Sequence, residues 1–121
     1  MNNNELRIGN YVTDSKTGKV VTVDGIQFTG RVVTHDESYD DWKRGIESVG
    51  IPLTPEILEK AGFEKGDIGY DNYEKGYYTV MVRGQGITIS NRHGYLATIK
   101  YLHQLQNLYF ALTGEELPIE L

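Results

Sequence analysis

Cysteine is absent from the 121 residues of this chain. Its absence excludes a disulfide framework, a thiolate metal site and a cysteine nucleophile. It is also typical of proteins that fold in a reducing compartment, so we expect a cytoplasmic location. No run approaches the roughly 20 apolar residues of a membrane-spanning helix, and the N-terminal Met-Asn-Asn-Asn-Glu lacks the apolar core of a signal peptide. We therefore expect no association with a membrane.

Basic charge is also scarce. Twelve Lys and Arg residues face seventeen Asp and Glu residues, for a net charge of −5, and the basic residues are scattered along the chain. Nucleic-acid-binding proteins usually carry a basic stripe, so the composition argues against a nucleic-acid partner. The nine tyrosines and fourteen glycines stand out more. They indicate β-hairpins with tight turns and half-buried aromatic faces, and the length predicts a single domain, 1–121.

Short β-branched or apolar runs between turn residues predict most of the fold. Residues 19–23 and 26–33 are expected strands, joined by a hairpin-type turn at Asp24-Gly25. Further strand segments follow at 46–53, 68–73, 77–83 and 87–90, and turns are predicted at 74–76 and 91–94. These patterns predict an α+β fold with five to seven short strands, in a bent antiparallel sheet or a small, partly open β-barrel.

Two helices complete the prediction. Thr54 is a suitable N-cap before Pro55 at the first helical position, and Gly62 is a suitable C′ residue after Ala61. A longer C-terminal helix ends at Gly114. At about 100° per residue its apolar side chains share one arc, which we expect to pack on the sheet. That arc comprises Tyr101, Leu102, Leu105, Leu108, Tyr109 and Leu112.

The opposite side of this helix is a candidate binding face. His103, Gln106, Asn107 and Phe110 project together, with one apolar ring among polar groups. Such a face could stack on and hydrogen-bond a planar ligand, or contact the backbone of a partner. The alternative is that a second element covers this side, which makes Phe110 part of the core and the amides its satisfied polar rim.

Trp42 lies in an acidic segment that suggests two kinds of site. His35, Asp36, Asp40 and Asp41 surround it, and oxygen-rich clusters can hold Mg²⁺ or Ca²⁺. The glycine and the spacing of an EF-hand calcium loop are missing. The segment is therefore interpreted as a solvated loop that Trp42 fixes to the protein, or as a protein-binding tip that Trp42 anchors.

Arg92-His93-Gly94 is a local concentration of basic residues, with Arg83 and Lys100 near it in sequence. Arg92 could contact a phosphate; the alternative is an ordinary solvated turn.

Catalytic signatures are missing. The chain has no Gly-x-Ser-x-Gly, no His-Glu-x-x-His and no histidine pair at metal-ligand spacing. The sequence therefore predicts a protein that is not an enzyme, without catalytic residues, metal or cofactor.

Three segments resemble a known group of proteins. They are Glu-Leu-Arg-Ile-Gly-Asn at 5–10, Gly-Ile-Pro-Leu-Thr at 50–54 before the short helix, and the terminal Tyr-Leu-His-Gln-Leu-Gln-Asn-Leu-Tyr-Phe-Ala-Leu-Thr-Gly-Glu-Glu-Leu at 101–117. Together they resemble a family of small proteins encoded by Bacteroides and related bacteria, often in prophages or mobile elements. No activity is attached to that family, so the resemblance implies an origin and no catalytic residue. Members of the family share these segments and differ most in the middle of the chain, which is the pattern expected of a binding scaffold.

The leading functional hypothesis is a non-enzymatic binding protein of phage or mobile-element type that acts on a host or phage protein. The main alternative is a small-ligand protein that sequesters a nucleotide, with Phe110 or a tyrosine stacking and Arg92 or Arg83 on the phosphate. Direct nucleic-acid contact and a metal-dependent hydrolase centred on the 35–41 segment are weaker alternatives. A homodimer contact through a tyrosine-rich edge or the Phe110 side of the last helix also stays open.

Overall fold

A computed structural model describes residues 6–27, 29–34, 45–66, 72–83 and 86–121. Within them the chain forms ten strands and two helices. The strands are β1 Tyr11–Asp14, β2 Val20–Thr22, β3 Gly25–Ile26, β4 Val32–Val33, β5 Ser48–Val49, β6 Glu64–Lys65, β7 Asn72–Lys75, β8 Tyr78–Arg83, β9 Gly86–Asn91 and β10 Gly94–Ile99. The helices are α1 Pro55–Lys60 and α2 Leu102–Thr113.

All strand pairs are antiparallel, and the strands form three sheets ordered β2-β1-β5, β3-β4 and β10-β9-β8-β7-β6. The predicted α+β class is confirmed. The antiparallel pairing, the short helix and the longer C-terminal helix are confirmed with it, and no barrel closes among the strands just given. The predicted hairpin turn at Asp24-Gly25 is wrong. Gly25 lies within β3 and pairs with Val33 of β4. The strand before the predicted turn, β2, does not pair with β3; it pairs with β1, which also pairs with β5.

The five-stranded sheet and the two helices form the main core. Tyr73, Val80 and Ile89 are cross-strand neighbours on β7, β8 and β9 and lie on the buried face. Leu58 of α1 and Leu105 of α2 belong to the same cluster and are fully buried. Removing such a leucine from water contributes about 2 kcal/mol to folding. The apolar arc of the C-terminal helix therefore packs on this sheet as predicted near its N-terminal end, whereas Leu112 is exposed.

A second, smaller core lies near the N-terminus. It comprises Leu6, Val12, Val23 and Val32, with Val21 and Ile46 packed against it. Its members come from the three-stranded sheet, from the two-stranded sheet and from the segments beside them. The molecule therefore has a small N-terminal region and a larger C-terminal region, which β1 and α2 bring into contact.

Both ends of α1 and the C-terminal end of α2 follow their predicted signals, and a further cap lies at the start of α2. Thr54 Oγ1 accepts a hydrogen bond from Ile57 N at 3.3 Å, and Gly62 has φ +90° just after α1. At the start of α2, the side chain of Gln104 accepts from the backbone N–H of Tyr101 at 3.0 Å. Gly114 ends α2 with φ +76°, a left-handed conformation that costs glycine little.

Candidate functional site

The predicted face of α2 is not a continuous exposed surface. His103 is fully buried and stacks on Tyr101, with ring centroids 5.7 Å apart. Gln106 is 2% exposed, whereas Phe110 is 40% exposed. A second element covers this side of the helix, as the alternative interpretation predicted. That interpretation buried Phe110 and placed the amides at its rim, and the structure has the opposite arrangement. The polar groups are the deeper ones, and Phe110 lies nearer the solvent.

The covering element is the segment that leads into β1. The side-chain oxygen of Gln106 accepts hydrogen bonds from Tyr11 N at 2.9 Å and from Asn10 Nδ2 at 3.4 Å. Its side-chain nitrogen donates to Gly9 O at 3.4 Å. Asn107 Oδ1 accepts from Asn10 Nδ2 at 2.8 Å. Buried amides of this kind are stable only when they are bonded, and here each is bonded to the N-terminal segment.

Arg7 completes this contact. Its Nε donates to Asn107 Oδ1 at 3.1 Å, and its two terminal nitrogens donate to the carboxylate of Glu116. Its guanidinium carbon lies 4.4 Å from the centroid of the Phe110 ring. The hydrogen bond from Arg7 lowers the pKa of Glu116 below its usual value, and the same bond raises the pKa of Arg7.

Residues 7–11 together with Gln106, Asn107, Phe110 and Glu116 are called the N-terminal clasp below. The clasp joins parts of the chain about one hundred positions apart. Its donors and acceptors are paired within the protein, so a ligand would have to displace the N-terminal segment to reach them. The clasp is therefore a structural joint, and three of the predicted binding residues, Gln106, Asn107 and Phe110, belong to it.

The remaining predicted residue with a described side chain, Arg92, lies at one end of the five-stranded sheet. It is in the turn between β9 and β10, and Tyr77 is in the turn between β7 and β8. Because Tyr78 of β8 pairs with Asn91 of β9, the two turns are adjacent. The guanidinium carbon of Arg92 lies 4.5 Å from the centroid of the Tyr77 ring. Tyr77, Arg92, His93 and Tyr95 are called the hairpin tip.

Both turns of the hairpin tip have defined backbone conformations. Gly76 has φ +60°, as the first central residue of a type II′ hairpin turn requires. In the other turn, Asn91 Oδ1 accepts a hydrogen bond from His93 N at 2.8 Å, and Gly94 follows with φ +127°. Asparagine at the first position and glycine at the fourth are typical of a type I turn. The side chains of the tip therefore project from a fixed backbone.

The hairpin tip is exposed. The side chains of Tyr77 and Tyr95 are 67% and 66% exposed, and Arg92 and His93 are exposed as well. Within the described ranges, the guanidinium of Arg92 has no hydrogen-bond or ion-pair partner; its contact is the Tyr77 ring. Tyrosine and arginine are the residue types that dominate binding energy at protein interfaces. Among the surfaces that the structure describes, the tip is therefore the candidate binding site.

The other predicted sites are not placed. Trp42, His35, Asp36, Asp40 and Asp41 lie outside the described residues, and the side chain of Arg83 is likewise not described. In the described part of the chain, no group of three or more His, Asp or Glu side chains is arranged to hold a metal ion. Nor does that part contain a helix long and apolar enough to cross a membrane.

Sequence reasoning missed Tyr77 as a member of the site. The signal was present, because two predicted strands, 77–83 and 87–90, separate the turns near 74–76 and 91–94. In an antiparallel succession of strands, turns that are two strands apart lie at the same end of the sheet. The chain was also compared with protein-family models, curated proteins and solved structures, and none of them matches it.

Proposed function

We propose that this chain is a non-enzymatic binding protein of phage or mobile-element type, and that it acts on a host or phage protein in the cytosol. The proposal assigns the contact to the hairpin tip. The observation that supports it is the exposed pair formed by Arg92 and Tyr77, held on two adjacent tight turns.

This pair suits binding for an energetic reason. Immobilising a long side chain at an interface costs about 0.5–1.5 kcal/mol. The Tyr77 ring already restricts Arg92, so part of that cost falls on folding and not on association. The ring also removes water from one face of the guanidinium while its N–H groups stay available at the edge. A partner therefore meets a donor group that is already oriented.

Affinity capture tests the proposal. The bait is the wild-type chain, in lysates of Bacteroides with and without phage, and bound proteins are identified by mass spectrometry. The test variant carries Tyr77→Ser and Arg92→Ser. The matched control carries Leu121→Ser and Lys16→Ser, which also remove one exposed apolar and one exposed basic side chain.

We expect a protein that the wild type and the control retain and the test variant loses. Retention of every bound protein by the test variant would overturn the assignment to the tip. Two further single variants, Trp42→Ala and Phe110→Ala, locate the contact in that case. Loss of capture with Trp42→Ala alone would assign it to the acidic segment instead.

The same pair supports a second candidate function, the binding of a nucleotide. An aromatic ring beside a guanidinium offers stacking and a phosphate contact. A ligand at one hundred times its dissociation constant stabilises the folded state by about 2.7 kcal/mol, which a thermal-shift measurement detects. A panel of linear and cyclic nucleotides that leaves the melting temperature unchanged would exclude this candidate.

A further inference from the structure

The two edges of the five-stranded sheet differ in a way that bears on binding. One edge is β6, which has only two residues, Glu64 and Lys65, both charged and exposed. The other is β10, which has six residues, Gly-Tyr-Leu-Ala-Thr-Ile, none of them charged. Short length and charge are the usual devices that prevent an edge strand from pairing with another chain. The β6 edge has both, and the β10 edge has neither.

Within the described ranges of the chain, the outer side of β10 has no paired strand. Among the described strands, β9 alone pairs with β10. Tyr95 and Thr98 are exposed, while Leu96 and Ala97 pack against the core and fix the strand to the protein. The register shifts between Tyr95 and Ala97, which bends the strand there. An added strand would follow this bend, and each end of β10 would offer it backbone groups.

Arg92 lies two positions before the start of β10. We infer, on the basis of the proposed function, that an extended segment of the partner protein adds as a strand to the free edge of β10 and places a carboxylate against Arg92. Backbone pairing gives such a segment its affinity, and the side chains at its ends give specificity. A carboxylate matches the two parallel N–H groups at the edge of a guanidinium.

A second copy of this chain fits the edge less well. If two β10 strands pair antiparallel and in phase, with Gly94 opposite Ile99, Arg92 of one copy lies within one position of Lys100 of the other. Like charges that face each other across strands are destabilising, and each copy carries a net charge of −5. A nucleic acid is also disfavoured, because binding would need several phosphate contacts and Arg92 is the one Arg or Lys of the tip.

A displayed library of random peptides, about twice the length of β10, provides a defined probe. With the wild-type chain as bait, we expect enrichment of peptides that combine β-branched or aromatic residues in alternation with an Asp or Glu near one end. The affinity of an enriched peptide is then measured against Arg92→Glu and, as a matched control, Lys16→Glu. We expect a loss of about tenfold or more with Arg92→Glu, no change with the control, and recovery when the acidic residue of the peptide is replaced by Lys.

Hydrogen exchange shows where the peptide binds. The expected result is slower exchange of backbone amides in β10 when the peptide is bound, with little change in β6. The inference is overturned if no acidic peptide is enriched, if the protected amides lie elsewhere, if a single-stranded oligonucleotide displaces the peptide, or if sedimentation shows a dimer that the peptide dissociates.

These outcomes are separate from failure of the proposed function. If the lysate experiment identifies a protein that depends on Tyr77 and Arg92, but the library yields no acidic strand, the tip remains the contact and strand addition is wrong. If both experiments fail, the proposed function is overturned as well.

Discussion

Two arginines of this protein lie on aromatic rings at almost the same distance. Arg7 is 4.4 Å from the Phe110 ring in the N-terminal clasp, and Arg92 is 4.5 Å from the Tyr77 ring in the hairpin tip. In the clasp, Arg7 also donates to Asn107 and Glu116. In the tip, Arg92 donates to no group among the residues that the structure describes.

The comparison shows that an arginine on a ring does not by itself identify a binding site. What distinguishes the two regions is the use of the N–H groups, which are paired within the protein in one case and directed to solvent in the other. The clasp should therefore affect mainly the free energy of unfolding, and the tip mainly the affinity for a partner.

The largest effect on stability is expected from Gln106→Ala. It leaves Tyr11 N–H and Gly9 O without their side-chain partner in a buried place, and we expect a loss of about 3 kcal/mol from unsatisfied groups and lost packing. Urea unfolding measures it. Gln104→Ala is the matched control, because this glutamine only caps the helix and should cost about 1 kcal/mol. Equal losses would mean that the clasp is not a structural joint.

Arg7→Lys should have a smaller effect. Lysine keeps the charge but loses the planar group that reaches both Asn107 and Glu116, so we expect a loss of about 1 kcal/mol. Arg92→Lys serves as the control, since the exposed guanidinium of Arg92 contacts only the Tyr77 ring among the described residues and exposed substitutions of this kind cost little. Thermal unfolding of the two variants, measured side by side, would contradict the comparison if Arg92→Lys were the less stable.

The pH dependence of the clasp follows from Glu116. Its pKa in the folded protein lies below the ordinary value of 4.5 because Arg7 donates to it. The contribution of Glu116 to the free energy of unfolding is therefore complete at a pH above the ordinary pKa. It is lost as the pH falls through the lower pKa of the folded protein. Glu116 is half exposed, so the contribution should be only about 0.5 kcal/mol. Unfolding curves of wild type and Glu116→Gln should converge on acidification; a constant difference down to acidic pH would be inconsistent with this assignment.

The smallest effect on stability is expected at the hairpin tip. The double variant Tyr77→Ser, Arg92→Ser should unfold within about 0.5 kcal/mol of the wild type, as most exposed substitutions do. The corresponding clasp variant, Phe110→Ser with Arg7→Ser, should lose at least twice as much. Calorimetry of both would refute the contrast if the tip variant proved the less stable of the two.

The parts of the fold that depend on local signals were predictable from the sequence. Thr54, Gly62 and Gly114 act within one helical turn, and the helix ends lie where they indicate. The turn at Asp24-Gly25 was mispredicted because the two strands beside it lie in different sheets. β2 pairs with β1, whereas β3 pairs with β4. β1 pairs with β5, more than thirty positions further along the chain, and no local pattern gives that pairing.

The site was less predictable than the helices. A helical projection places Gln106 and Phe110 on one side, but it cannot say which of them is deeper. That depends on Asn10 and Tyr11, which lie about a hundred positions earlier. Likewise, the pairing of Tyr77 with Arg92 depends on the register of β8 on β9. A one-residue shift would have moved the side chains to the opposite face.

The bond between Arg7 and Glu116 has a consequence for the connectivity of the chain. It spans 109 positions and keeps the two ends of the described chain close in space. A short linker that joins residue 6 to residue 121 should therefore leave the fold intact, and new ends can be opened at the turn between β1 and β2, where residues 15–18 are exposed. A circular permutant of this kind would retain the clasp with its two halves adjacent in sequence.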